Sequence, residues 1–128
     1  PENLKGKFMS TQDSCVSIVP YFKVHEDRLA DFKALAEQFV SQTSEEAQCL
    51  YYGFCFNGDE AHCREGYEGA EGVLAHLENV GQLLAEALQI ADLTRLEIHG
   101  AKNELVKLHE PLKEMNPAYF ILEYGFRH

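Results

Sequence analysis

Glu65, Tyr67 and His76 are the residues whose types and spacing could do chemistry together. Glu65 and Tyr67 are separated by one residue in "REGYE", so on a β-strand they project from one face; His76 follows in the apolar helical pattern "GVLAHLENV". A neutral imidazole can take a proton from an acidic group such as a phenol near neutral pH and return it. A carboxyl group beside a phenol could orient that imidazole or hold a polar substrate. A purely structural reading exists for each. His76 could bond a strand backbone or a tyrosine where strand meets helix, Glu65 could pair across a subunit contact, and Tyr67 could pack with its hydroxyl satisfied at a rim.

The elements that would position these residues follow from periodicity. "CVSIVPYF", residues 15 to 22, reads as a first strand, with Pro20 arguing for an edge position or a strand end. Leu29, Phe32, Ala36, Phe39 and Val40 recur at helical spacing, which predicts a helix over about 26–42 with Glu26 and Asp27 at its N-terminus. "AQCLYYGFCF" and "AHCREGYE" are strand-like and are joined by the turn sequence "NGDE", a hairpin signal. If its loop has an even number of residues, Cys63, Glu65 and Tyr67 share a face with Tyr52, Phe54 and Phe56; an odd loop reverses this. A second helical stripe runs from Val73 to Leu88, with Gly81 a point where it could split. "DLTRLEIHG" is a fourth strand, with Arg95, Glu97 and His99 on its polar face. A short helix broken at Pro111 and a final strand over 118–126 complete the chain.

This order predicts an α+β fold, a ferredoxin-like βαββαβ antiparallel sheet with both main helices on one face and an added helix and C-terminal strand. Residues 15–128 form the domain. Residues 1–14 are expected to be a flexible N-terminal segment, its first eight either an expression remnant or a native arm. The ring-rich strands supply apolar bulk to both faces of the sheet, so a second subunit should cover the face the helices leave open, giving a homodimer.

The net charge of −10, from 21 acidic and 11 basic residues, argues against nucleic acid and anionic membrane as partners. No apolar run approaches a membrane span, and the N-terminal stretch lacks the core of a signal peptide, so a cytoplasmic location is expected. Cys15, Cys49, Cys55 and Cys63 lie in apolar strand-like stretches at spacings that match no zinc pattern, and are expected as free thiols. The histidines share no metal-ligand spacing either, so neither metal nor cofactor is assigned.

Glu65-x-Tyr67 followed by Ala75-His76-Leu77 resembles the antibiotic biosynthesis monooxygenase-like domains of the dimeric α/β-barrel superfamily, over about residues 15 to 126. The resemblance implies a barrel built by two sheets and a pocket in each subunit. It also implies cofactor-independent oxidation of a small electron-rich aromatic or quinol-like compound, with His76 as the base assisted by Glu65 and Tyr67. The resemblance argues against the haem-degrading branch, which uses an asparagine in strand one and a tryptophan near the position of His76; here strand one has no asparagine and the chain has no tryptophan. Two alternatives stay open: a non-enzymatic small-ligand-binding or stress-related dimer, and an isomerase or lyase using the same pocket. Tyr51, Tyr52, Phe54 and His99 are the candidate substrate-binding residues, since rings and polar tips suit a small aromatic or hydrophobic molecule.

Overall fold

Alternation along the first strand puts Val16, Ile18, Phe22 and Val24 on one face, and all four are buried under two helices. The computed structural model describes residues 12–128; most of the expected N-terminal segment 1–14 lies outside the described residues. The elements are β1 (Cys15–Val24), α1 (Leu29–Thr43), β2 (Cys49–Asn57), β3 (Glu60–Glu68), α2 (Gly69–Ile90), β4 (Ala91–Gly100), the short α3 (Lys102–Leu105) with 3₁₀ turns at Val106–Leu108 and Lys113–Met115, and β5 (Ala118–Ile121). The fold is α+β and ferredoxin-like, with strand order β2-β3-β1-β4-β5.

Four expectations need correction. Pro20 stands in β1, the central strand, and not at an edge or an end. The sheet absorbs it locally: the β1–β3 pairing skips from Ile18↔Glu65 to Tyr21↔His62, His62 Nδ1 lies 2.7 Å from the Pro20 carbonyl oxygen, and the β1–β4 register shifts between Tyr21 and Phe22. A bulged, partly unbonded stretch is where a sheet tolerates a residue with no N–H. The first helix begins at Leu29, after Glu26 and Asp27, because Asp27 takes a left-handed conformation (φ 63°) that ends a turn.

The sheet is mixed, because the crossover through α3 brings β5 back parallel to β4. β5 also stops at Ile121, opposite Gly100 where β4 ends, so the sequence to Phe126 has no strand left to pair with. Gly81, in contrast, does not split α2; it is exposed with open space around it, while Val73, His76, Val80, Leu83, Ala87 and Ile90 keep one continuous buried stripe.

α2 follows β3 without a loop. Gly69 makes that junction at φ 66°, and Glu104 on α3 reaches across to accept the Ala70 N–H at 2.8 Å, serving a helix start that has no cap from its own side chains. A Cβ on Gly69 would lie 2.9 Å from that carboxylate. Gly69→Ala is therefore expected to lower the unfolding free energy by about 1–2 kcal/mol, the cost of a left-handed alanine, as measured by urea denaturation.

Candidate active site

The β2–β3 turn decides which side chains meet. Asn57 pairs with Glu60 across a two-residue turn, Gly58–Asp59, so Tyr52 faces Glu65 and Phe54 faces Cys63 on the helix side of the sheet. Tyr67, two residues on, shares that face, and α2 runs back over it with His76 pointing inward. His76, Glu65 and Tyr67 are 3%, 5% and 0% exposed, so all three are withdrawn from solvent together.

They are joined in one chain of contacts. The Tyr67 hydroxyl donates to Glu65 Oε1 at 2.6 Å, and His76 Nε2 is 3.5 Å from the same oxygen. On the other side of the ring, His76 Nδ1 is 2.9 Å from Glu46 Oε2, which also accepts from Asn79 Nδ2 at 2.7 Å. A carboxylate there accepts, so Nδ1 carries the imidazole proton and Nε2 presents its lone pair toward Glu65. The rings of Tyr67 and Tyr52 lie 4.8 and 5.3 Å from the imidazole and fix its plane.

Burial sets the protonation states. It lifts the Glu65 carboxyl to about 8; hydrogen bonds from Tyr67 and Cys63 resist, and the Glu46 charge adds to the lift. Burial also pushes His76 below the ordinary imidazole range, against the bond and charge of Glu46, which favour the cation. Although His76 and Glu65 lie at ion-pair distance, both shifts favour the uncharged forms, and near neutral pH the two face each other as a neutral base and a neutral acid. The same desolvation raises the Tyr52 and Tyr67 phenols and the Cys63 thiol far above their usual values, so all three stay protonated.

His76, Glu65, Tyr52 and Cys63 open onto a cavity of ≈ 50 Å³ between sheet and helices, at the seam between two apolar clusters. Its remaining wall is hydrocarbon and ring, including Phe32, Phe39, Phe54, Leu77, Val80 and Met115. Of the seven residues singled out by sequence, Glu65, His76, Tyr52 and Phe54 line this cavity, and Tyr67 joins them through its bond to Glu65. Tyr51 and His99 lie on the opposite face of the sheet. The Tyr51 ring covers Gly66, its hydroxyl 3.1 Å from Ser17 Oγ, and His99 bonds Glu97 at 2.8 Å beside Phe120. Among the described residues, no group of three or more His, Cys, Asp and Glu side chains could hold a metal ion.

The chain shares 44% identity with MupZ from Pseudomonas fluorescens, over 94% of both chains, with a TM-score of 0.89. The chain belongs to the MupZ family. Its fold is antibiotic biosynthesis monooxygenase-like: a candidate antibiotic biosynthesis monooxygenase from Nitrosomonas europaea matches with a TM-score of 0.63 at 15% identity, covering 69% of this chain and 90% of that one. Another from Chloroflexus aurantiacus matches at 0.56 and 15%, covering 66% and 90%. At that identity the likeness speaks for the fold. No family model and no curated protein matches the chain.

In this MupZ relative, Glu46 and Asn79 are bonded into the site although the sequence pattern did not single them out, and Cys63, read only as a face neighbour of Glu65, lines the cavity. Glu46 comes from the α1–β2 connection, 30 positions from His76, and a loop carboxylate leaves no periodic signal. Asn79 sits three residues after His76, beside the buried stripe, so its i, i+3 spacing was the available hint.

The raised pKa of Glu65 makes a stability prediction with a fixed sign. A carboxyl that is harder to ionise folded than unfolded stabilises fully below its ordinary value of 4.5, and that contribution is lost as pH rises through about 8. His76, depressed in the fold, works in the opposite direction below its ordinary 6.5. Comparing Glu65→Gln with wild type isolates the carboxyl. The variant's unfolding free energy should gain on wild type from pH 4.5 to 8 and hold constant above, as read by urea unfolding across that series.

Proposed function

We propose that this protein is a cofactor-independent enzyme that moves a proton within a small, largely apolar molecule bearing an oxygen function, as an isomerase or a lyase. The observation that carries the reading is the buried carboxyl of Glu65, uncharged near neutral pH, facing the free Nε2 of His76 in a pocket otherwise walled by hydrocarbon. Glu65 gives its proton to the substrate oxygen while Nε2 takes one from carbon or hydroxyl, so charge builds on neither the substrate nor the pocket as a whole. The imidazolium proton then crosses the 3.5 Å to the Glu65 carboxylate and restores both groups. Tyr67 holds the Glu65 oxygen, and Glu46 holds the histidine tautomer that leaves Nε2 free.

A second reading uses the base alone. His76 removes the proton of an electron-rich phenol or quinol, and the resulting anion reacts with oxygen in the dry pocket, a cofactor-independent monooxygenase. The ring-lined wall and the names of the fold's solved relatives favour it. A homodimer belongs to either reading. The open face of the sheet carries rows of mixed character, Tyr51–Gly66–Ser17–His99–Phe120 and Cys55–His62–Tyr21–Arg95, which a second copy would cover. The cytoplasm suits four thiols that are free in the structure. No helix among the described residues is long and apolar enough to cross a membrane.

Solvent deuterium exchange into a panel of small enones, phenols and hydroxyketones, with and without oxygen, tests the chemistry. Exchange or conversion independent of oxygen is expected, reduced about 10²–10⁴-fold in both His76→Ala and Glu65→Gln. Conversion that consumes oxygen and survives Glu65→Gln selects the monooxygenase, and tight binding with neither outcome leaves a binding protein. In sedimentation at micromolar concentration we expect twice the 14.5 kDa chain mass. A single well-folded monomer removes the homodimer.

A further inference from the structure

Two hydrogen-bond donors one turn apart on α2 meet at a single oxygen. His76 Nδ1 lies 2.9 Å from Glu46 Oε2, and Asn79 Nδ2 lies 2.7 Å from the same atom. Residues i and i+3 project from one side of a helix, so the turn 76–79 grips the carboxyl of a loop residue as one two-pronged unit. Apart from His76, Asn79 is the one donor to the Glu46 side chain among the described residues.

The orientation of the Asn79 amide is settled by its partners. Its Nδ2 also lies 3.2 Å from the Gln42 backbone carbonyl oxygen, and a carbonyl and a carboxylate both only accept, so the NH2 group faces α1. Gln42 Nε2 donates back to the Asn79 backbone carbonyl at 2.8 Å. The two residues thus bond reciprocally between the end of α1 and α2. One amide proton of Asn79 is anchored on backbone, and the other points at Glu46.

What this arrangement holds in place is a choice of tautomer. The imidazole stands between two carboxyl groups, with Nδ1 toward Glu46 and Nε2 3.5 Å from Glu65 Oε1. A proton on Nδ1 leaves Nε2 free toward the pocket. A proton on Nε2 would point at Glu65 and turn the Nδ1 lone pair against the Glu46 carboxylate, which is unfavourable only while Glu46 stays at 2.9 Å. Glu46 comes from the α1–β2 connection and pairs with no lysine or arginine among the described residues, and a largely buried carboxylate with few donors is drawn to water. We propose that Asn79 is a positioning residue: its amide N–H keeps Glu46 against Nδ1, and so directs the His76 proton away from the pocket and the lone pair of Nε2 into it. The consequence for catalysis rests on His76 being the base of the proposed function; the tautomer itself does not.

Two-bond proton–nitrogen spectra of protein labelled with ¹⁵N-histidine read the tautomer directly at neutral pH, His76 being identified by its loss in His76→Gln. Wild type is expected to carry the proton on Nδ1. Asn79→Leu fills a similar volume without a donor, and Asn79→Asp offers only acceptors. Each should lower the ratio of the Nδ1–H to the Nε2–H form by about tenfold or more, the size of one hydrogen bond to a charged group, and bring the Nε2–H form into view. Gln42→Ala removes the return bond to the Asn79 carbonyl but leaves the Gln42 backbone carbonyl and the Glu46 contact, so it should keep the wild-type tautomer. A tautomer unchanged in both Asn79 variants, a doubly protonated ring in them, or an equal shift in Gln42→Ala overturns the proposal. Wild-type His76 protonated on Nε2 would overturn it together with the base of the proposed function. A failed search for turnover, with these spectra as expected, removes the function and leaves Asn79 its role.

Discussion

The pocket depends on a carboxyl group being placed where it cannot easily ionise. Glu65 sits on a strand face that elsewhere carries Cys63, Tyr67 and apolar residues, under a helix whose stripe is apolar except for His76. Removing a carboxylate from water is expensive, and the protein answers with one strong hydrogen bond from Tyr67 rather than with a cation, leaving the neutral acid as the favoured form. Arginine or lysine in the pocket wall would have made an ordinary buried ion pair; the wall has neither.

The same desolvation acts on His76 with the opposite consequence. Burial disfavours its cation, yet Glu46 stands at Nδ1, so the ring is held neutral while being oriented as a base. One environment therefore raises the pKa of the carboxyl and lowers that of the imidazole. The pocket beside them stays close to uncharged, with no lysine or arginine in its wall.

Much of this was legible in the sequence because it is periodic. The 3.6-residue stripe of α2 and the two-residue alternation of β3 put His76, Glu65 and Tyr67 inward, and the "NGDE" turn made the parity of the hairpin a single question, which the two-residue loop answers. What the sequence hid was non-local. Pro20 reads as an edge residue, and only the bulge at Thr94 of β4 and the His62 bond show how a central strand holds it. The end of β5 is fixed by where β4 runs out, which no property of residues 122–126 announces. Glu46 has no pattern at all; its role comes from a loop closing over a helix placed elsewhere in the chain.

Sheet parity also explains why only part of the ring-rich sequence serves the pocket. Tyr51 and Tyr52 are neighbours, and so they belong to different surfaces: Tyr52 flanks His76, whereas Tyr51 lies over Gly66, where a side chain would collide with its ring at 2.3 Å. Gly66 stands between Glu65 and Tyr67 in sequence, so the strand spends its alternate position on closeness to Tyr51 while its other positions build the acid. Inserting or deleting one residue in the β2–β3 turn would exchange the two sets, moving Tyr51 toward the helices and Tyr52 away from His76 if β2 alone slipped. The length of that turn, more than the identity of any aromatic residue, decides which rings can meet a ligand beside His76.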